Sequence, residues 1–199
     1  MIRAAFLIYD SDGRVLQHTL RFQINPDTLT RTIQPQSVGG DSGDRLEALR
    51  FKGPPVETIK FKASFDTAQM LGDPEYPYAA TQGLHPLLAA FEILVYPTGA
   101  DLQQQHLLAD LGTLELAPMA APLILFSWGP RRLVPVRITD MSITETSFDQ
   151  DLNPVLAEGM DLTLRVLSLN DLDFNSGAAA FFRSYQQGKE DLAKLVHYA

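Results

Sequence analysis

The sequence predicts an α+β chain that is mainly β, an antiparallel β-sandwich or barrel with one core helix and a C-terminal helical tail. Three observations predict it. Residues 56–66 place Ile59, Phe61, Ala63 and Phe65 on one face and Lys60, Lys62 and Ser64 on the other, the period of a half-buried strand. Residues 160–166 repeat the pattern, with Met160, Leu162, Leu164 and Val166 opposite Asp161, Thr163 and Arg165. A single stretch before residue 97 has helical spacing instead, residues 81–96 with Leu84, Leu87, Leu88, Phe91 and Leu94 in phase.

The elements follow in order. A first strand over 4–9 meets a Ser-Asp-Gly turn at 11–13 and returns over 15–24 as a hairpin. Asn25-Pro26-Asp27 reads as a turn, after which 29–33 resumes extended structure. Residues 35–55 hold four glycines and three prolines and read as one long loop with a short turn of helix at 44–50. The 56–66 strand follows, then a second loop at 67–80. The helix over 81–96 takes Thr81 as its cap and ends before Pro97. Residues 97–121 fit either a short helix at 101–111 or an irregular connection. Strands return at 122–128, 132–148 and 160–169, the first two joined by a Gly129-Pro130 turn with Trp128 at its tip. The chain divides into a main domain, 1–169, and an extension, 170–199, that packs outside it beyond an Asn/Asp-rich linker and carries a helical run at 188–198.

Composition narrows the function. The formal charge of −8 disfavours nucleic acid as a primary partner, since neutralising phosphates takes clustered Lys and Arg. The absence of cysteine removes disulfides, thiolate metal sites and cysteine nucleophiles. The apolar stretches near 84–96 and 117–128 fall short of the roughly 20 residues of a membrane span, so no membrane insertion is expected. The first residues read as a strand and turn rather than a signal peptide.

Chemistry-bearing constellations are sparse. His18, His85, His106 and His197 lie in four different elements without metal-ligand spacing. No Gly-x-Ser-x-Gly elbow or phosphate-binding glycine loop is present. Asp140, Glu145, Asp149, Asp151 and Glu158 supply carboxylates for acid/base work, but turns and wet faces account for them equally well. Arg131 and Arg132 could grip an anion or simply be solvated. Trp128, Tyr76 and Tyr78 form either a platform for a small molecule or glycan or a packing cluster. No catalytic residue, metal or cofactor is assigned, and the expectation is a protein that works by making contacts.

Five segments occur in a specific order: FQINPDTLTRT (22–32), FKGPPVETIKFKASFDTA (51–68), HPLLAAFEILVYP (85–97), PLILFSWGPRRLVPVRITDMSITETSFDQDLNPVLAE (122–158) and MDLTLRVL (160–167). Together they resemble the tube-type domain of contractile injection system proteins, the phage-tail-like particles whose baseplate and tube-adaptor subunits carry an Asn-Pro after the first strands, then a Phe-Asp-Thr strand, a helix and a Phe-x-Trp-Gly strand. The resemblance covers roughly 15–169. It departs at Ala121-Pro122, where the family has Pro-Pro, and at Asn153-Pro154-Val155, where it has Gly-Pro-Val. Adaptor members often continue into a peptidoglycan-binding LysM module, and 183–199 do not complete one.

The resemblance implies a phage tail-tube-like fold and a structural, non-enzymatic role, joining the inner tube to the baseplate or spike. It implies a six-fold homo-oligomeric ring assembled in the cytoplasm within an intracellular or released injection particle, with tube, spike and baseplate proteins as partners. In such a ring Lys60, Lys62, Ser64, Asp161, Thr163 and Arg165 would face the lumen. Phe126, Trp128 and Phe148 would anchor the core or the ring interface, and Phe181, Phe182, Tyr185, Leu192 and Leu195 would dock a neighbouring subunit. The alternative is a monomeric β-barrel or sandwich that binds a small molecule or glycan through Trp128, Tyr76 and Tyr78.

Overall fold

The computed structural model describes residues 2–37, 50–110 and 121–196. Among them the chain is α+β and mainly β. Strands β1 (Ala5–Tyr9), β2 (Leu16–Arg21), β3 (Leu29–Ser37), β4 (Phe51–Asp66), β5 (Leu123–Ser127), β6 (Leu133–Phe148) and β7 (Pro154–Val166) form one antiparallel sheet in the order β2-β1-β5-β6-β7-β4-β3. The helices are α1 (Ala79–Gln82), α2 (His85–Glu92), α3 (Gly99–Asp110) and α4 (Gly177–Ala193).

The two sheets expected from the sequence are two halves of this single sheet, which curls until its halves meet. Phe61 of β4 stacks on Phe126 of β5 with ring centroids 5.1 Å apart, although three strand spacings, about 14 Å on a flat sheet, lie between them. Phe22, just beyond β2, meets Phe61 at 5.4 Å, so opposite margins of the sheet converge on one set of rings. The outer strands β2 and β3 do not pair with each other, and the barrel stays open.

Two helices complete the core. Leu84 and the α2 residues Leu87, Leu88 and Phe91 are all buried, and Phe91 packs on Phe6, Phe22 and Phe65 at 5.9, 5.3 and 5.5 Å. The other is α4, capped by Ser176, whose hydroxyl accepts from the Ala179 N–H. Its first turns set Ala178 and Phe181 among Leu7, Tyr9, Leu123 and Leu125, while Phe182 and Tyr185 enter the main core. Strands β1 and β5 are thus covered on both faces, which is why they read as continuous apolar runs, AFLIY and LILFS, rather than as alternation.

The structure departs from the sequence reading at several points. The helix expected over 81–96 breaks at Gly83, which sits at φ +57°; a Cβ there would lie 2.5 Å from the Pro154 carbonyl oxygen. That carbonyl accepts the Leu84 N–H at 2.8 Å. Thr81 is therefore no cap, and its hydroxyl donates to the Tyr78 carbonyl. Of the two alternatives for 97–121, a helix forms, as α3. Residues 111–120 lie outside the described residues, as do 38–49 and most of the helical turn expected at 44–50.

The long loop expected at 35–55 is shorter than its glycines and prolines suggested. Pro54 and Pro55 fall at an irregularity in the β3–β4 register, on a part of β4 that pairs with β3 alone, where lost donors are tolerated. Strand β7 begins at Pro154 rather than 160, and of the helical run expected at 188–198 the part up to Ala193 is the end of one helix that starts at Gly177, while 197–198 lie outside the described residues. The extension lies on the domain instead of outside it, because Phe182 and Tyr185 gain more by joining the core than by waiting on a linker.

Motif residues act as fasteners. Asn25 accepts the Ala4 N–H at 2.8 Å and donates to the Ile2 carbonyl at 2.9 Å, tying the start of the chain to the β2–β3 corner. Gln23 exchanges two hydrogen bonds with the Asp66 backbone, 2.7 and 2.9 Å, while the Asp66 carboxylate caps the short 3-10 turn at Thr67–Gln69 through Ala68.

Gly83→Ala is expected to cost about 2 kcal/mol or more, from positive-φ strain plus collision with Pro154. The open turn at Gly129, φ +79° with nothing within 4 Å of an added Cβ, carries only the strain, so Gly129→Ala should cost about 1 kcal/mol. Denaturant midpoints at unchanged slope measure both.

Candidate functional site

The six residues assigned to a lumen share one sheet face. In the ladder Lys60 pairs with Thr163 and Lys62 with Asp161, and Arg165 lies opposite Thr58. Lys60, Lys62 and Asp161 are exposed, while Ser64, Thr163 and Arg165 are half-buried. The period-two signal places them there because their neighbours Ile59, Phe61, Ala63, Leu162 and Leu164 are committed to the core. Strand β6 widens the face with Arg137 opposite Arg165, Asp140 opposite Thr163 and Ser142 opposite Asp161. The sequence reading treated Asp140 as a loose carboxylate; a register irregularity between Ile138 and Asp140 brings it onto this face.

Charge on the face is largely unneutralised. Arg165 is held by Asp171 at 2.7 Å, but Lys60, Lys62 and Arg137 make no ion pair with any described residue. Lys62 does not close on Asp161; its stem lies over Gly159, where a Cβ would collide with it. The Ser64 hydroxyl donates to the Glu158 carbonyl at 3.0 Å. The result is a wet, mixed surface with cations free to be recruited.

The anchors divide. Phe126 is buried and Trp128 half-buried, their rings 5.7 Å apart, and Trp128 also meets Phe61 at 6.2 Å. The alternation across Ser127 does put both rings on one side. Phe148 is 52% exposed and belongs to no core cluster of the described residues, because it lies at the end of β6 opposite Pro154, beyond the curl of the sheet. The cavity beside Trp128, lined by Leu29, Arg31, Ile59 and Tyr185 among others, is about 10 Å³. That admits one water at most. Tyr76 and Tyr78 contact each other at 6.2 Å rather than Trp128.

The five docking residues also divide. Phe182 and Tyr185 are buried in their own core, and Phe181 is half-buried with its ring packed on Tyr9 at 5.5 Å. Leu192 and Leu195 at the far end of α4 remain exposed. Of the five carboxylates considered for acid/base work, Asp140, Glu145, Asp149 and Asp151 are strung along β6 and its turn, and Glu158 stands on β7 in the stretch that pairs with Thr144 and Glu145. Asp149 shapes the turn: hydrogen bonds from the Asn153 side chain and backbone hold its carboxyl below the usual range. His197 lies outside the described residues, and no group of three or more His, Asp or Glu among those described is placed to hold a metal ion.

One cluster was missed. Glu57 is 3% exposed, held by Arg31 and by Lys189 at 2.8 Å, with the Tyr185 hydroxyl donating to it at 3.0 Å. Arg31 also donates to the Tyr185 oxygen at 3.1 Å, and the Lys189 ammonium sits 3.9 Å from the Tyr185 ring centre. Burial pushes the Glu57 carboxyl up, but the two cations outweigh it and hold the group below its usual value. Burial, then Glu57 itself, drives the Tyr185 phenol well up. The cluster clamps α4 onto β3 and β4. Its signal was legible: Glu57 stands in phase with Ile59, Phe61 and Phe65, a charge at a core position that requires partners.

Glu57→Gln should cost about 2–3 kcal/mol by stranding Arg31 and Lys189, less than for a fully buried pair because the Lys189 side chain is 41% exposed. Since the folded pKa of Glu57 lies below its unfolded value, its contribution is complete above the ordinary glutamate pKa of about 4.3 and is lost as pH falls through the lowered value. Acid titration should move Trp128 fluorescence, since Tyr185 and Trp128 line one cavity, and Glu57→Gln should abolish that transition.

No protein-family model matches the sequence, and no curated protein matches it.

Proposed function

We propose that the chain is a ring-forming structural subunit of a contractile injection apparatus, adapting the inner tube to the baseplate or spike. The observation that carries this reading is a single curled sheet with a continuous polar face, spanning β4, β7 and β6, whose outer strands, β2 and β3, each leave one edge without a strand partner among the described residues. The ordered resemblance of the sequence to tube-type domains supports it independently. Open edges are an aggregation hazard unless something occupies them, and edge-to-edge joining of copies in a closed ring occupies them all. The polar face would then line the channel, its mixed Lys, Arg, Asp and Thr surface lacking the apolar patches that hold a passing cargo.

Mass determination and negative-stain imaging of the purified chain, alone and with tube, spike and sheath proteins of the same particle, test the reading. Six-fold rings are expected. A monodisperse monomer that joins none of those proteins overturns it. An edge variant sharpens the test. The Phe22 N–H donates to Ala4 at 2.9 Å, and antiparallel alternation then turns the Thr19 N–H away from β1. Thr19→Pro should leave the monomer folded and reduce ring formation at least ten-fold.

A further inference from the structure

The two ends of β4 are chemically opposite. At one end the β6–β7 hairpin projects past the strand: Leu156 pairs with Asp66, and Phe148 with Pro154 beyond it. The hairpin turn displays Phe148, 52% exposed, and Leu152, 75% exposed, among Glu145, Asp149 and Asp151. None of these carboxylates makes an ion pair with a described residue. The display is held in shape. Asp149 accepts from the backbone of Asp151 and Asn153 at 2.9 and 2.8 Å, and the α1–α2 corner buttresses the turn through Leu84 and Pro154. At the other end Phe51, 77% exposed, stands between Arg50 and Lys52, which are also exposed and without an ion pair among the described residues.

These ends cannot meet within one molecule. The 16 residues of β4 hold them on the order of 50 Å apart at about 3.3 Å per residue. They match in both respects that recognition uses, apolar against apolar and acid against base. Every copy carries both. The match matters more in a chain of charge −8, because copies of it repel except where a basic patch meets an acidic one.

We infer that the hairpin tip and the Phe51 end are the two halves of one head-to-tail contact between copies of this chain. Phe148 and Leu152 of one copy seat against Phe51 of the next, with Asp149 and Asp151 facing Arg50 and Lys52. Such a contact is heterologous, so it either closes on itself or propagates along an axis. The patch is small, and single contacts are weak; repetition across assembled copies strengthens them. It uses the outer edge of neither β2 nor β3, on which the ring reading rests, so either idea can fail while the other stands.

Sedimentation velocity of the full chain over rising concentration, at low and high salt, tests it. The wild type should associate with increasing concentration and dissociate with salt. Phe51→Ser and Leu152→Gly should each weaken association about ten-fold or more. Glycine suits position 152, which sits at φ 62°, so that variant removes the side chain without straining the turn. Each variant keeps one intact end, so an equal mixture should form a two-unit species and nothing longer. Lys52→Glu should weaken association and Lys52→Glu/Asp151→Lys should restore it, with circular dichroism confirming an unchanged fold in every variant. Three results overturn the inference: a wild type that shows no concentration-dependent association, single variants that associate like wild type, or a charge-swapped double variant that does not recover. Rings that survive Phe51→Ser but no longer associate with one another leave the edge-pairing reading intact while supporting this one.

Discussion

The stack of Phe61 on Phe126 is the contact on which the rest of the architecture depends. A single antiparallel sheet has one face to bury and no second sheet to bury it against, so it must bend until its own halves meet. Phe6, Phe22, Phe61, Phe65, Phe91 and Phe126 supply rings broad enough to bridge that gap, in edge-on, tilted and stacked contacts with centroids 5.1–6.5 Å apart. Once the halves are joined, α2 must cover one flank of the rings, which sets the break at Gly83 and the approach to Pro154. The other flank falls to α4, and the clamp at Glu57 sets where that helix lies.

The same curl sorts the surface. Core-facing positions on β4, β6 and β7 are exhausted by aliphatic and aromatic side chains, and the alternate positions are left to Lys, Arg, Asp, Ser and Thr. Charge is therefore distributed by register: a pairing shifted by one residue would put Lys60 and Lys62 inside, a cost no partner in that core could offset. Glu57 is the exception that shows the rule, since it is tolerated inside only because Arg31, Tyr185 and Lys189 converge on it from two other elements.

Much of this was legible in the sequence because periodicity reports burial directly. The strand over 56–66 and the face of Lys60, Lys62, Asp161 and Thr163 follow from alternation alone, and the pairing of Phe126 with Trp128 follows from one intervening serine. What failed did so where a long-range contact overrode a local pattern. Residues 81–96 carry an unbroken helical stripe, and only the distant Pro154 carbonyl explains why it breaks at Gly83. Pro54 and Pro55 read as loop because their tolerance depends on which side of β4 is paired. Phe182 and Tyr185 read as docking residues because nothing local shows that Glu57, more than 120 positions earlier, waits for Tyr185 and Lys189.

The placement of unpaired charge then separates two kinds of work. Inside, the buried carboxylate is fully engaged by Arg31, Tyr185 and Lys189, and the cavity beside it admits one water at most, so this cluster holds the fold. Outside, cations on the sheet face, carboxylates on the hairpin and exposed aromatics at both ends are held on rigid strands without satisfying one another. Rigid presentation lowers the entropic cost of association, because the groups are already ordered before a partner arrives. Order placed on exposed, mutually unreachable groups is the physical basis for the proposal that the chain meets other surfaces as a component of an assembly.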